Sequence, residues 1–206
     1  RDVGGETWYR MLDTIRAFAG ERLGEDEATA RRRQLRWYDG VAEASGVDQL
    51  GTEADAWNMR LAPLAADFYV VLERAASIPS LVIDGARVFE AMWWFFERTQ
   101  PREGWNLLDH LIRHLEERGL GSEFPLVYWQ GSSYASALGN FDRAMALAQV
   151  GLAAAESRGE PRYANWILQF MAAARMESGD PESAERLLQR AIAIAREHNL
   201  VETLSS

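Results

Sequence analysis

The chain has 206 residues, 48% of them hydrophobic, with a formal charge of −9 and no cysteine. That length can bury a sizeable core, and the absent cysteines exclude disulfides and thiolate metal sites and point to a reducing cytoplasm. All 22 basic residues are Arg among 31 acids, a balance that argues against direct nucleic-acid binding, which rests on cations neutralising phosphates.

The opening residues RDVGGETWYR carry acids and lack an apolar segment, unlike a signal peptide. No later run reaches the ~20 apolar residues of a spanning helix, so no membrane partner and a cytoplasmic location are expected. Strand-like alternation is confined to Thr7–Leu12 and Leu81–Ile83. Helical periodicity fills the rest, and the expected fold is all-α. Asp13 is the expected N-cap of a helix from Thr14 to Leu23. Gly24 breaks that helix, and a longer one follows from about Asp26 to Ser45. Arg31, Arg32, Arg33 and Arg36 on it could bind a phosphate or an acidic partner, or form a solvated face. Glu25, Asp26 and Glu27, about one turn away, favour local pairing.

ETWYRMLDTIRAFAGERLGEDEATARRRQLRWYDGVAEAS, residues 6–45, resembles a segment of large bacterial STAND-class transcriptional regulators of the AfsR-like and LuxR-like kinds. There a winged-helix module ends and a helical repeat domain begins. The matching residues are Tyr9, Arg10, Met11, Leu12, Asp13, Thr14, Arg16, Phe18, Ala19, Glu21, Arg22, Leu23, Arg31–Arg33, Trp37 and Tyr38. WNMRLAPLAADFYVVLERA (57–75) and MWWFFERTQPREGWNLLDHL (92–111) continue the likeness more loosely. The resemblance implies that 1–45 is the end of a winged-helix module with connecting helices and that 46–206 is the repeat domain. It also implies an upstream nucleotide-binding ATPase domain as an attached partner. This chain has no G-x-x-x-x-G-K-[ST] loop, so no nucleotide cofactor is expected in it.

Further along, three stretches superpose without a gap at forty residues: TQPREGWNLLDHLIRHLEERG (99–119), GNFDRAMALAQVGLAAAESRG (139–159) and GDPESAERLLQRAIAIAREHN (179–199). Gly139 and Gly179 can close a preceding helix; Asn140 and Asp180 are N-caps; Pro101 and Pro181 suit a first helical position. Gly104, Ala144 and Ala184 keep one slot small. Leu107, Leu147, Leu187 and Ile112, Leu152, Ile192 form an apolar stripe, and the helices end near Gly119, Gly159 and Asn199. A preceding helix is expected at Ala86–Arg98, Leu126–Leu138 and Trp166–Ser178. The first of these holds Met92, Trp93, Trp94, Phe95 and Phe96 in a row. At about 100° per residue five residues circle a helix, so that helix should be packed on most sides.

LGNFDRA (138–144) and SGDPESA (178–184) resemble the turn and second-helix start of the tetratricopeptide repeat. The period exceeds the usual thirty-four residues, and Arg175 stands where a large apolar residue is usual. The resemblance implies helical hairpins in a superhelical array, with a groove lined by the first helix of each pair. In that register Phe89, Trp93, Phe96, Trp129, Ser133, Ser136, Trp166, Gln169 and Met176 would face a ligand or peptide. His110 and His114 have the i, i+4 spacing of zinc ligands, but Leu111, Ile112 and Arg113 lie between them with no Glu, and no metal is expected. No catalytic constellation is legible. The expected function is therefore a non-enzymatic sensor or regulatory domain binding an effector or a partner protein, with a general protein–protein adaptor as the alternative.

Overall fold

A computed structural model of the chain describes residues 2–3, 6–7, 11–45, 61–99 and 101–200. Among these the fold is all-α, with nine α-helices beside one short antiparallel pair, β1 (Asp2–Val3) and β2 (Glu6–Thr7), in which Asp2 faces Thr7 and Val3 faces Glu6. No helix among the described residues is long and apolar enough to cross a membrane. The quoted residues Tyr9, Arg10, 57–60 and Gln100 lie outside the described part. Two compact units divide the chain, residues 1–111 and 112–206.

The first unit begins with α1 (Asp13–Leu23), a 3-10 turn (Gly24–Asp26) and α2 (Glu27–Ser45). Asp13 is the first helical residue rather than the cap. Leu12 holds the cap position in extended backbone and offers no side-chain acceptor. Gly24 ends α1 at φ +46°, a conformation that suits a residue without Cβ. A 3-10 turn (Ala62–Leu64) leads into α3 (Ala65–Ser77), followed by α4 (Val82–Thr99) and the start of α5 (Pro101–Glu117). The strand-like signal at Leu81–Ile83 is a helix start, closed by Gly85 N–H donating to the Leu81 carbonyl at 2.8 Å. Leu81 and Val82 are fully buried there, so packing overrides their β preference.

Helix α2 packs on α3 and α4. Tyr38 meets Phe68 at a 4.3 Å ring separation, Phe68 lies 6.1 Å from Phe95, and Phe95 lies 5.8 Å from Phe96. The aromatic run is thus explained: Met92, Phe95 and Phe96 are buried and Trp93 is half-buried. Helix α2 falls in the same compact unit as α3 and α4. Arg31 pairs with Glu27 at 3.5 Å within α2. Arg32 instead reaches α4, donating to Asp84 at 3.2 Å and to the Ser80 carbonyl at 3.0 Å.

The second unit takes up α5 from Ile112 and adds α6 (Pro125–Ala137), α7 (Phe141–Arg158), α8 (Pro161–Glu177) and α9 (Pro181–Glu197). The helix ends expected from the sequence lie within two residues of these. The starts of α4, α6 and α8 come earlier than Ala86, Leu126 and Trp166; for α6 and α8 the reason is that Pro125 and Pro161 each open the helix at its first position. Gly139 and Gly179 close helices at φ +77° and +78°, and Asn140 and Asp180 accept from the amides of Arg143 and Ser183. At forty-residue steps Leu120, Glu160 and Leu200 donate back to Leu115, Ala155 and Ala195, each at 2.9 Å. These bonds satisfy helix-end carbonyls that would otherwise be orphaned.

Helix α6 packs on α7, α7 on α8, and α8 on α9. Gly151 of α7 is the close point, since a Cβ there would lie 3.2 Å from the Pro125 carbonyl and 3.3 Å from Ile167 Cδ1. Gly104, Ala144 and Ala184 are buried, as the small slot requires. The expected stripe holds at Leu107, Leu147, Ile112 and Leu152, is half-buried at Leu187, and fails at Ile192, which is 40% exposed.

Candidate functional site

The nine residues read as groove-facing do not share one environment. In the first unit Phe89 and Phe96 are buried and stacked at 5.8 Å, 11° from coplanar. Both belong to the core and display nothing; Trp93 beside them is half-buried. The register shows which residues share a helix face, and here α2 and α3 pack on α4. In the second unit Trp129, Ser133 and Ser136 run along α6 at i, i+4 and i+7, all half-buried, while Trp166 and Gln169 are half-buried on α8. Met176, at the end of α8, is 57% exposed and stands out in solvent.

Two of these helices bring their aromatics together. The Trp129 and Trp166 rings lie 5.4 Å apart at 34°, and Tyr163 adds a third ring 5.8 Å from Trp166 at 53°. Such tilted separations are favourable for aromatic pairs. Tyr163 was missed by the sequence reading. Its signal was present: it precedes Trp166 by three residues, close to one helical turn, but it lay outside the expected helix. Trp129 and Tyr163 rest their inner edges on a core of Ala148, Leu152, Ala164, Ile167 and Leu168.

A polar ladder runs beside the rings. Buried Asn165 donates from Nδ2 to the Ala191 carbonyl at 2.7 Å, and Gln169 donates from Nε2 to Asn165 Oδ1. Asn165 therefore joins α8 to α9, and its bond to Gln169 orients the half-exposed amide. Ser132 donates to the Trp129 carbonyl at 2.6 Å. Together α6 and α8 offer aromatic faces, an oriented amide and nearby hydroxyls, which is chemistry for stacking and hydrogen bonding.

Tyr128, one residue before Trp129, is fully buried, and its hydroxyl has no hydrogen-bond partner among the described residues. Burial pushes its pKa up to about 12; Glu116 adds to the rise and Arg143 opposes it. His114, one of the zinc-spaced pair, lies 3.0 Å from Glu117, and its carbonyl accepts from Arg118 at 2.9 Å. Among the described residues no group of three His, Asp or Glu is disposed to hold a metal. Arg175 sits near Asp180 at 3.9 Å and occupies its position as a half-buried cation.

No family model, curated protein or solved structure matches this chain.

Proposed function

We propose that the chain is a non-enzymatic sensor and regulatory domain, built of tetratricopeptide-like hairpins in a superhelical array, from a STAND-like transcriptional regulator. It binds an effector or partner protein and controls an attached nucleotide-binding domain. The observation that carries this reading is the Trp129–Trp166–Tyr163 cluster, whose rings meet between α6 and α8 with the oriented Gln169 amide alongside. Trp and Tyr anchors with few polar groups are typical of binding hot spots and small-ligand sites. The exposed apolar residues Met11, Leu12, Ile15 and Phe18 on and before α1 support the attachment of a further module at that end.

The test is a thermal-shift screen of small molecules and peptides against the chain and its Trp129→Ala/Trp166→Ala variant. A ligand at 100 times its Kd stabilises by about 2.7 kcal/mol, which is readily measured. Compounds that raise Tm in the native chain alone support the effector-binding reading. If only a protein partner binds, and it does so equally well to the variant, the adaptor reading replaces it. Fusion to a nucleotide-binding domain and assay of its ATP turnover with and without ligand then tests control.

A further inference from the structure

We infer that the Trp129–Trp166–Tyr163 cluster takes a small planar aromatic carboxylate with a hydrogen-bond donor at its far end, an inference that rests on the effector-binding reading of that cluster. One face of α8 carries a ring platform between a cation and an acceptor. Trp129 and Tyr163 pack against the hydrophobic core; Trp166 lies outside that cluster and leans on their two rings, at 5.4 Å and 5.8 Å. Half-buried rings tilted in this way offer their remaining surface to another ring.

Charge selects an anionic ligand over a cationic one. Helix α6 has no charged residue, and α8 has three, Arg162, Arg175 and Glu177, in a chain of net charge −9. Arg175 lies 3.9 Å from Asp180, and Glu177 closes the far end of the helix. Arg162 is exposed and has no ion pair among the described residues, its neighbour Glu160 being engaged by Arg158 at 2.8 Å. Arg162 precedes Trp166 by four residues, so it stands one turn before it on the same face. A guanidinium there matches a carboxylate in its fork geometry and tolerates an aromatic ring beside it.

The acceptor is Gln169, three residues beyond Trp166. A backbone carbonyl only accepts, so the bond to the Ala191 carbonyl fixes which end of the Asn165 amide is Nδ2. Asn165 then turns its Oδ1 to Gln169, which must donate from Nε2. Gln169 Oε1 is left as an acceptor without a partner among the described residues, and a donor on the ligand satisfies it. Arg162 and Gln169 are seven residues apart, about 10 Å along the helix axis with Trp166 between them. That is close to the length of a two-ring aromatic acid with a hydroxyl opposite its carboxylate.

The probe is a hydroxynaphthoate with its carboxylate and hydroxyl at opposite ends, titrated calorimetrically into the full chain. Naphthoate, neutral naphthol and cationic naphthylmethylamine are titrated beside it. Hydroxynaphthoate should bind most tightly of the four. Arg162→Gln should weaken it about threefold to tenfold and leave naphthol unchanged, and Arg162→Lys should restore most of the loss. Gln169→Leu should weaken hydroxynaphthoate and spare naphthoate, which lacks the hydroxyl. Equal affinity for naphthol, tighter binding of the amine, or an Arg162→Gln variant as tight as the native chain would overturn the inference. The effector-binding reading survives those outcomes wherever Trp166→Ala still abolishes binding. Failure of all four compounds to bind also overturns the inference, and the wider thermal-shift screen then decides separately whether the cluster binds an effector.

Discussion

Gly85 lies directly against the Ala75 methyl group: a Cβ on Gly85 would lie 2.8 Å from the Ala75 Cβ. A Cβ cannot rotate away, so α3 and α4 would have to move apart. Gly85→Ala should therefore cost about 1–3 kcal/mol by overpacking, against a gain of about 1 kcal/mol in helix propensity. Ala75→Gly in the same molecule should recover part of the loss. Urea unfolding of the two singles and the double would show it as a coupling; simple additivity would mean the helices shift freely.

Phe95 and Trp93 are two residues apart on α4 and should behave differently. Phe95 is fully buried between Phe68 and Phe96. Phe95→Ala should cost about 3–5 kcal/mol. Trp93 is half-buried, and Trp93→Ala should cost clearly less. Equal losses in chemical denaturation would mark Trp93 as core.

Tyr128→Phe removes a buried hydroxyl that has no hydrogen-bond partner among the described residues. An unsatisfied buried group of this kind costs about 1–3 kcal/mol, so the variant should be between neutral and about 1 kcal/mol more stable at pH 7. The pH dependence has a definite sign. The folded pKa is raised to about 12, so the native tyrosine's contribution is complete below the unfolded value near ~10 and fades as pH rises from there toward the folded one. Melts at alkaline pH should show a shallower decline for Tyr128→Phe than for the native chain.

Asp180 caps α9, and hydrogen bonding from Ser183 holds its carboxyl below the usual carboxylate value, with Arg175 and Arg186 contributing. A depressed pKa gives stability above the unfolded value that is lost as pH falls through the folded one. Asp180→Asn keeps a capping acceptor, as Asn140 does on α7, and removes the titration. Its Tm at pH 7 should match the native chain, while its acid decline between about pH 4 and pH 2 should be shallower. A large loss at neutral pH would show that the charge, not the acceptor, makes the cap.

What the sequence disclosed was chiefly local. Gly139, Asn140, Gly179 and Asp180 could be read directly because a cap or a positive φ is decided by the few residues around it. The forty-residue step was legible for the same reason. Burial was not: Phe89 and Phe96 fall on a face the register nominates for display, yet packing around α4 buries them. Ile192 failed in the opposite direction, since nothing in its own helix shows whether a neighbour covers it. Tyr163 escaped because Pro161 was not read as a helix start, which left that turn of α8 unassigned. Packing partners decide these positions, and a periodic pattern does not name them.

The 5.4 Å approach of Trp129 and Trp166 has an optical consequence. Two indoles that close couple their electronic transitions, so their combined near-ultraviolet circular dichroism differs from the sum of two isolated chromophores. The sign and size of that band depend on the angle between the rings, and hence on how α6 lies against α8. Subtracting the spectrum of Trp166→Phe isolates the coupled signal from the chain's other tryptophans. The protein thus carries an intrinsic, label-free gauge of any displacement of α6 against α8.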